Sequence, residues 1–128
     1  MYAKSMGLVW IVVRDLKKAI HFYTENVGLR LMNSNEEYGW AELQGSEGGA
    51  RLGIAQMRGG KEKIKPGENA VLTFTVENIE KAKADALKKG VKAIDDIEEV
   101  VGHVKMQLFV DQDGNHFQLV EMLGDHEH

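Results

Sequence analysis

Two stretches of the chain, LVWIVVRDLKKA at residues 8–19 and VLTFTVENIEKA at residues 71–82, align without a gap and decide the fold. In each stretch, β-branched and apolar residues precede an Asp or Asn, and apolar residues then recur at helical spacing. Asp15 and Asn78 occupy the same place in the two stretches, and both residue types favour the position just before a helix. The alignment therefore predicts a strand followed directly by a helix, twice in one chain.

A second pair of stretches, GGARLGIAQM at residues 48–57 and DGNHFQLVEM at residues 113–122, continues the repeat. In this second pair, Gln56 matches Glu121. Earlier in each half, Gly28 and Gly90 are placed to end the two helices. Each half then reads as a strand, a helix and three more strands. The predicted elements span roughly residues 7–14, 16–27, 29–37, 39–45 and 50–57, and then 70–77, 79–89, 91–100, 104–110 and 116–123.

The whole chain, residues 1–128, is predicted to be a single domain of two modules, at about 7–57 and 70–123. Residues 58–69 contain the chain's one proline together with several glycines, which favours a linker. A length of 128 residues, with 43% apolar and 28% charged residues, is typical of one globular domain. The acidic stretch IDDIEEV at residues 94–100 predicts an exposed edge strand that is protected by its charges.

Charge and composition exclude several classes of function. The net charge of -4 without a basic stripe argues against a nucleic-acid partner. The absence of cysteine excludes disulfides, thiolate zinc sites and a cysteine nucleophile. No apolar run approaches the ~20 residues that span a bilayer, so no membrane partner is expected. The opening MYAKSMGLVW also lacks the apolar run of a secretory signal, and a cytoplasmic location is therefore expected.

Two motifs, VVRDLKKAIHFYTENVGL in the first half and DQDGNHFQLVE in the second, resemble those of a known family. Over about Gly7 to Met122, the chain is similar to the vicinal oxygen chelate superfamily, the glyoxalase/bleomycin-resistance/dioxygenase group. The resemblance implies an α+β fold, in which two tandem βαβββ modules form a cupped mixed β-sheet with helices on the outside. It also implies a homodimer, with modules that combine within one chain or across two.

The same resemblance implies where metal-dependent members hold their ion. The four positions, at the ends of opening and closing strands, correspond to Leu8, Gln56, Val71 and Glu121. A divalent ion needs several nitrogen or oxygen donors that face one point, and two of these residues are aliphatic. Hydrocarbon at these positions would desolvate an ion without coordinating it. We therefore expect no metal ligands and no cofactor in this chain.

Strand alternation within the implied sheet predicts an apolar cleft for a small molecule. Trp10 and Phe117 would stack on a planar ligand, and Trp40 would lie at the rim. Phe109 is compatible with either face of its strand. The full predicted lining comprises Leu8, Trp10, Val12, Trp40, Leu52, Ile54, Gln56, Val71, Thr73, Thr75, Phe117, Leu119 and Glu121.

Glu121 is the one candidate catalytic residue. A carboxylate that faces a largely apolar groove suits a general base or an anchor for a cationic or hydroxylated part of the ligand. The alternative is an exposed glutamate at a strand end, whose carboxylate reaches water.

Three functions remain open from the sequence. The first is a binding protein that holds a small, partly aromatic organic molecule without a catalytic metal, similar to the bleomycin-resistance branch. The second is a metal-dependent lyase, isomerase or thiol transferase, similar to glyoxalase I (lactoylglutathione lyase) or fosfomycin-resistance enzymes. The third is an interaction module whose cleft is filled by its own side chains.

Overall fold

The computed structural model of the protein describes residues 1, 4, 6–59, 64–68 and 71–124. These residues fall into two compact units, Met1–Asn69 and Ala70–His128. Each unit runs strand, helix and then three strands, which confirms the predicted α+β fold of two tandem βαβββ modules. The predicted linker at residues 58–69 lies partly outside the described residues, and its role stays a prediction. No helix in the described part of the chain is long and apolar enough to cross a membrane.

The first unit is a mixed four-stranded sheet with one helix. Its elements are β1 (Leu8–Val13), α1 (Leu16–His21, continued by a π-helical turn at Phe22–Asn26), β2 (Arg30–Asn35), β3 (Trp40–Gly45) and β4 (Gly48–Gln56). The strands lie in the order β1-β4-β3-β2. Strands β1 and β4 are parallel, whereas β3 is antiparallel to both of its neighbours.

The second unit repeats this arrangement. Its elements are β5 (Leu72–Thr75), α2 (Ile79–Lys88), β6 (Lys92–Val100), β7 (Val104–Val110) and β8 (His116–Met122). The strands lie in the order β5-β8-β7-β6, with β5 parallel to β8 and the other pairs antiparallel. In both units, therefore, the opening strand is hydrogen-bonded to the closing strand.

The two helices begin in the same way, as the sequence predicts. The side chains of Asp15 and Asn78 each accept a hydrogen bond from the backbone N–H three residues later, at 3.0 Å in both cases. These bonds satisfy N–H groups that have no partner within the helix. Gly28 and Gly90 follow the helices with φ of 91° and 82°, a left-handed conformation that glycine adopts without steric cost.

Each sheet has one face that packs against the helix of its own unit, which we call the helix face. In the first sheet, Val9 pairs with Leu52 and Ile11 with Ile54, so these side chains share the helix face. Leu52 and Ile54 are buried there, and Tyr23 in the π-helical turn is buried as well. The opposite side of each sheet is called the open face.

Aromatic side chains fill the helix face of the second sheet. Register pairs Leu72 with Phe117 and Phe74 with Leu119. Phe109 stacks on Phe117, with ring centroids 5.4 Å apart and an interplanar angle of 16°. The structure thus places Phe109, which the sequence left open, on the helix face.

A bulge interrupts the edge strand β6. The pairs Ile94 with Leu108 and Glu98 with Met106 leave three residues of β6 opposite Gln107 alone. Asp95, within this bulge, has a φ of 58°. The buried Gln107 amide donates to the backbone oxygens of Ile94 and Asp95, at 3.0 and 3.1 Å. The Gln107 side chain therefore holds the bulge, which together with the exposed acids of β6 protects this edge from pairing with another strand.

Replacing Asp95 by valine is expected to lower the free energy of unfolding by about 1–2 kcal/mol, because a β-branched side chain is strained at positive φ. Asp96→Val is the matched control, since Asp96 is exposed and does not have a positive φ. Urea unfolding followed by circular dichroism measures both variants. Equal effects of the two substitutions would contradict the left-handed conformation at residue 95.

Candidate functional site

Gln56, the last residue of β4, and Glu121, the last but one of β8, hold the helix N-termini. The backbone N–H of Leu16 donates to Gln56 Oε1 at 2.7 Å, and that of Ile79 donates to Glu121 Oε1 at the same distance. The Gln56 amide also donates to the backbone oxygen of Arg14. Each closing strand therefore supplies an acceptor to the first turn of its helix, in addition to the cap at residue 15 or 78.

This geometry corrects the predicted role of Glu121. Its carboxylate lies on the helix face and is bound to the backbone of α2, rather than facing an open groove. Lys105 pairs with Glu121 across the sheet and donates to Glu80 at 3.0 Å. The hydrogen bond with Glu80 raises the pKa of Lys105, and the charge of Glu121 adds to this effect. Glu121 thus belongs to a polar cluster at the start of α2.

The six lining residues taken from the closing strands do not share a face with those taken from the opening strands, contrary to the prediction. In a parallel pair, residues in register point to the same side, and a shift of one residue exchanges the two faces. Leu8 pairs with Arg51 and Thr73 with Gln118, so the predicted closing-strand residues lie on the helix face. These residues are Leu52, Ile54, Gln56, Phe117, Leu119 and Glu121.

Two tryptophans lie together on the open face of the first sheet. Register pairs Trp10 with Gly53 and Trp40 with Ala55, and the two ring centroids are 6.3 Å apart at an interplanar angle of 57°. A Cβ atom on Gly53 would lie 2.4 Å from Trp40 Cη2 and 3.0 Å from Trp10 Cβ. The glycine therefore makes room for the Trp40 ring to lie directly on the sheet. Trp10 is 38% exposed and Leu8, on the same face, is 42% exposed.

An ion pair lies next to the tryptophans. Glu42 accepts a hydrogen bond from Trp40 Nε1 at 3.0 Å on one oxygen and from Arg51 Nη1 at 3.1 Å on the other. The Trp40 bond, followed by the Arg51 bond, lowers the pKa of Glu42. The carboxylate is therefore ionised at neutral pH and connects the indole to the guanidinium.

Some of the predicted lining residues lie together on the open face of the first sheet, and residues that were not predicted lie beside them. Leu8, Trp10, Val12 and Trp40 share the open face of the first sheet, although Val12 is buried. The sequence analysis missed Glu42, Arg51 and Gly53. The alternation of β4, in which Arg51 and Gly53 are interleaved with apolar Leu52 and Ile54, was the sequence signal for Arg51 and Gly53. Glu42 lies in β3, so the alternation of β4 does not bear on it.

The second sheet has a more polar open face. Thr73 and Thr75, both exposed, lie opposite the aromatic helix face and pair with Gln118 and Val120. Gln118 Nε2 donates to Thr73 Oγ1 at 3.1 Å. Val71, just before β5, is 49% exposed. The three predicted opening-strand residues are thus accessible, and Gln118 joins them from β8.

The residues at the implied metal positions do not fit a divalent ion. Leu8 and Val71 carry no donor atom, while Gln56 and Glu121 lie on the helix faces and bind backbone N–H groups. Within the described ranges, no group of three or more His, Asp or Glu side chains could hold an ion. Zinc and other transition metals require several convergent donors, which this set does not provide.

A surface groove of about 250 Å³ lies elsewhere on the first unit, at the start of α1. Its walls include Asp15, Lys17, Glu36 and the Gln56 side chain. Because Gln56 lies on the helix face, this groove is separate from the tryptophan pair.

The fold and the residue pattern identify the family. Residues 5–119 match the family model of the Glyoxalase/Bleomycin resistance protein/Dioxygenase superfamily. This chain belongs to that superfamily. A comparison with curated proteins gave no match.

Solved structures share the fold over nearly the whole chain. A superfamily member from Sphaerobacter thermophilus has a TM-score of 0.80 at 21% identity, covering 93% of this chain and 98% of that one. TnmS3, an antibiotic binding protein from a Streptomyces species, has a TM-score of 0.80 at 22% identity, covering 95% and 98%. A glyoxalase/bleomycin resistance protein from a Streptomyces species has a TM-score of 0.74 at 23% identity, covering 90% and 98%.

Replacing Glu121 by alanine is expected to lower the free energy of unfolding by about 1–2 kcal/mol, because the Ile79 N–H loses its acceptor. Glu121→Gln keeps an acceptor, as Gln56 does in the first unit, and should lose less than about 1 kcal/mol. Glu98→Ala, which removes an exposed acid from β6, is the control for urea unfolding. The capping role is refuted if Glu121→Ala costs no more than Glu98→Ala.

Gly53→Ala should displace the Trp40 ring and lower the free energy of unfolding by about 1–3 kcal/mol, as overpacking of a filled site does. The Trp40 indole N–H signal in an NMR spectrum should move, since the bond to Glu42 is disturbed. Gly45→Ala is the control, because its Cβ would lie 3.6 Å from the nearest atom, the backbone oxygen of Gly48. An unchanged Trp40 signal in Gly53→Ala would disprove this packing.

Proposed function

We propose that this protein binds a small, partly aromatic organic molecule without a catalytic metal, on the open face of its first sheet. The observation that carries the proposal is the pair formed by Trp10 and Trp40, which lies next to the Glu42–Arg51 ion pair. Small-molecule sites combine apolar and aromatic walls with a few placed polar groups. This face offers both.

The geometry of the two indoles suits a flat ligand. Their planes are inclined at 57°, so one ring can stack on the ligand while the other contacts its edge. Trp10 and Leu8 are large apolar side chains that remain more than a third exposed. A ligand that covered these side chains would remove their apolar surface from water, which makes the free energy of binding more favourable.

The similarity to TnmS3 supports a binding role. That protein is described as antibiotic binding, and its fold matches this chain with a TM-score of 0.80. At 22% identity the likeness extends to the fold, and the ligand of this chain has to be established separately.

The donor chemistry favours binding without a metal. The open face of the first sheet presents hydrocarbon at Leu8, and the Glu42 carboxylate is already bound to Trp40 and Arg51. A lyase similar to glyoxalase I would require convergent donors for its ion. The arrangement of the described side chains gives no support to that alternative.

Several predicted features remain proposals. Val71, Thr73 and Thr75 are accessible, and we retain them as candidate ligand contacts on the second sheet. The closing-strand residues on the helix faces are not retained as contacts, because they are buried or bound to a helix start. The homodimer and the cytoplasmic location stay predictions.

The test is a titration of the metal-free protein with a diverse set of planar aromatic compounds. The chain has two tryptophans, so two indole N–H signals in an NMR spectrum report on Trp10 and Trp40 alone. A ligand should shift both signals, and Trp10→Leu should weaken its binding about tenfold, the value of one lost aromatic stack. Tyr38→Leu, at a side chain that is 67% exposed in the β2–β3 turn, should leave the affinity unchanged.

Two outcomes would overturn the proposal. The first is that no compound in the set shifts either indole signal. The second is that binding requires added zinc, nickel or manganese, since the proposed face has no place for an ion. Binding that survives treatment with a chelator is the expected result.

A further inference from the structure

We propose that the molecule bound on the open face of the first sheet is an aromatic anion, and that Arg51 recognises its carboxylate. The inference rests on the proposed function, because it assigns a chemical class to the ligand of the same face. It follows from the position of Arg51, from the groups that hold its guanidinium and from the donors that remain unused.

Arg51 is placed beside the aromatic pair by the register of the sheet. It pairs with Leu8 on β1 and lies two residues before Gly53, which supports both tryptophans. Glu42 fixes the guanidinium through Nη1 at 3.1 Å and binds Trp40 Nε1 at 3.0 Å with its other oxygen. One carboxylate therefore holds the indole and the guanidinium next to each other.

The guanidinium retains hydrogen-bonding capacity. An arginine side chain has five N–H donors in a planar fork. In the described part of the chain, the contact of Arg51 is with Glu42 through Nη1, and its side chain is 37% exposed. The remaining edge can donate two parallel hydrogen bonds to a carboxylate, which is the strongest arrangement available to arginine.

The charges on this face favour an anion over a cation. A cationic ligand would have to compete with Arg51 for Glu42, whose two oxygens already accept hydrogen bonds from Trp40 and Arg51. An anionic ligand would instead use donors of Arg51 that face no acceptor among the described residues. Apolar surface from Leu8 and Trp10 lies beside this position, and partial exclusion of water strengthens a charge-assisted hydrogen bond.

Three naphthalene probes of nearly the same shape separate the charge of the ligand from its aromatic surface. They are 2-naphthoate, the neutral 2-naphthamide and the cationic 2-naphthylmethylammonium. Each is titrated into the metal-free protein of 128 residues, with calorimetry for affinity and the two indole N–H signals for location. The variants are Arg51→Met, Arg51→Lys and, as a control for net charge, Lys88→Met on the exposed side of α2.

The inference predicts that 2-naphthoate binds about tenfold more tightly than 2-naphthamide, the ratio expected for one charge-assisted bidentate contact. Arg51→Met should abolish this preference and leave the affinity for 2-naphthamide within about twofold of the original. Arg51→Lys should keep part of the preference, because it retains the charge and loses the planar fork. Lys88→Met should change neither affinity.

The outcomes that overturn the inference differ from those that overturn the proposed function. Equal binding of naphthoate and naphthamide, or tighter binding of the ammonium probe, refutes the anion and leaves aromatic binding intact. If Arg51→Met weakens the binding of naphthoate and naphthamide equally, the arginine stabilises the face without distinguishing the charge of the ligand. The inference is then also wrong. If no probe shifts an indole signal, the inference fails, and the diverse compound set decides the proposed function separately.

Discussion

The bond between the end of a closing strand and the start of a helix is the constraint on which both units depend. In each unit the closing strand runs parallel to the opening strand and next to it, so a side chain near its end lies where the chain turns into the helix. Gln56 reaches the N–H of Leu16, and Glu121 reaches that of Ile79, each at 2.7 Å. The bond ties the start of the helix to the side of the sheet that the helix covers. The other side stays open, and Trp10 lies on that side.

On the open face of the first sheet, one carboxylate organises the polar groups. Glu42 binds an indole N–H and a guanidinium at once, so three side chains from β3 and β4 hold each other in place. Because hydrogen bonds to a charged group are stronger than those between neutral groups, the arrangement is well determined even though it is partly exposed. The lowered pKa of Glu42 is consistent with this role. Such preorganisation reduces the entropy lost when a ligand binds.

Local features of the fold could be predicted from the sequence, whereas the faces of the closing strands could not. The caps at Asp15 and Asn78 and the order of the elements follow from residues that are neighbours in the chain. The face of Gln56 depends instead on the pairing of β1 with β4, about forty residues apart, and nothing local specifies that register. Because the two halves were aligned with each other, the closing-strand residues of the second unit were assigned to the wrong face in the same way. Alternation within β1 was sufficient to separate the face of Trp10 from that of Ile11, whereas no pattern placed Trp40, which was expected at the rim and lies on Gly53.

The packing of Trp40 on Gly53 bears on the selectivity of the proposed binding face. The indole lies where the glycine has no side chain, so the height of the aromatic surface above the sheet is set by a residue that need not touch the ligand at all. A larger residue in place of Gly53 would tilt the Trp40 ring and change the shape of the aromatic surface, while the residues proposed to contact the ligand stay the same. Under the proposed function, ligand selectivity can therefore be changed at Gly53, the backbone position that lies beneath the indole.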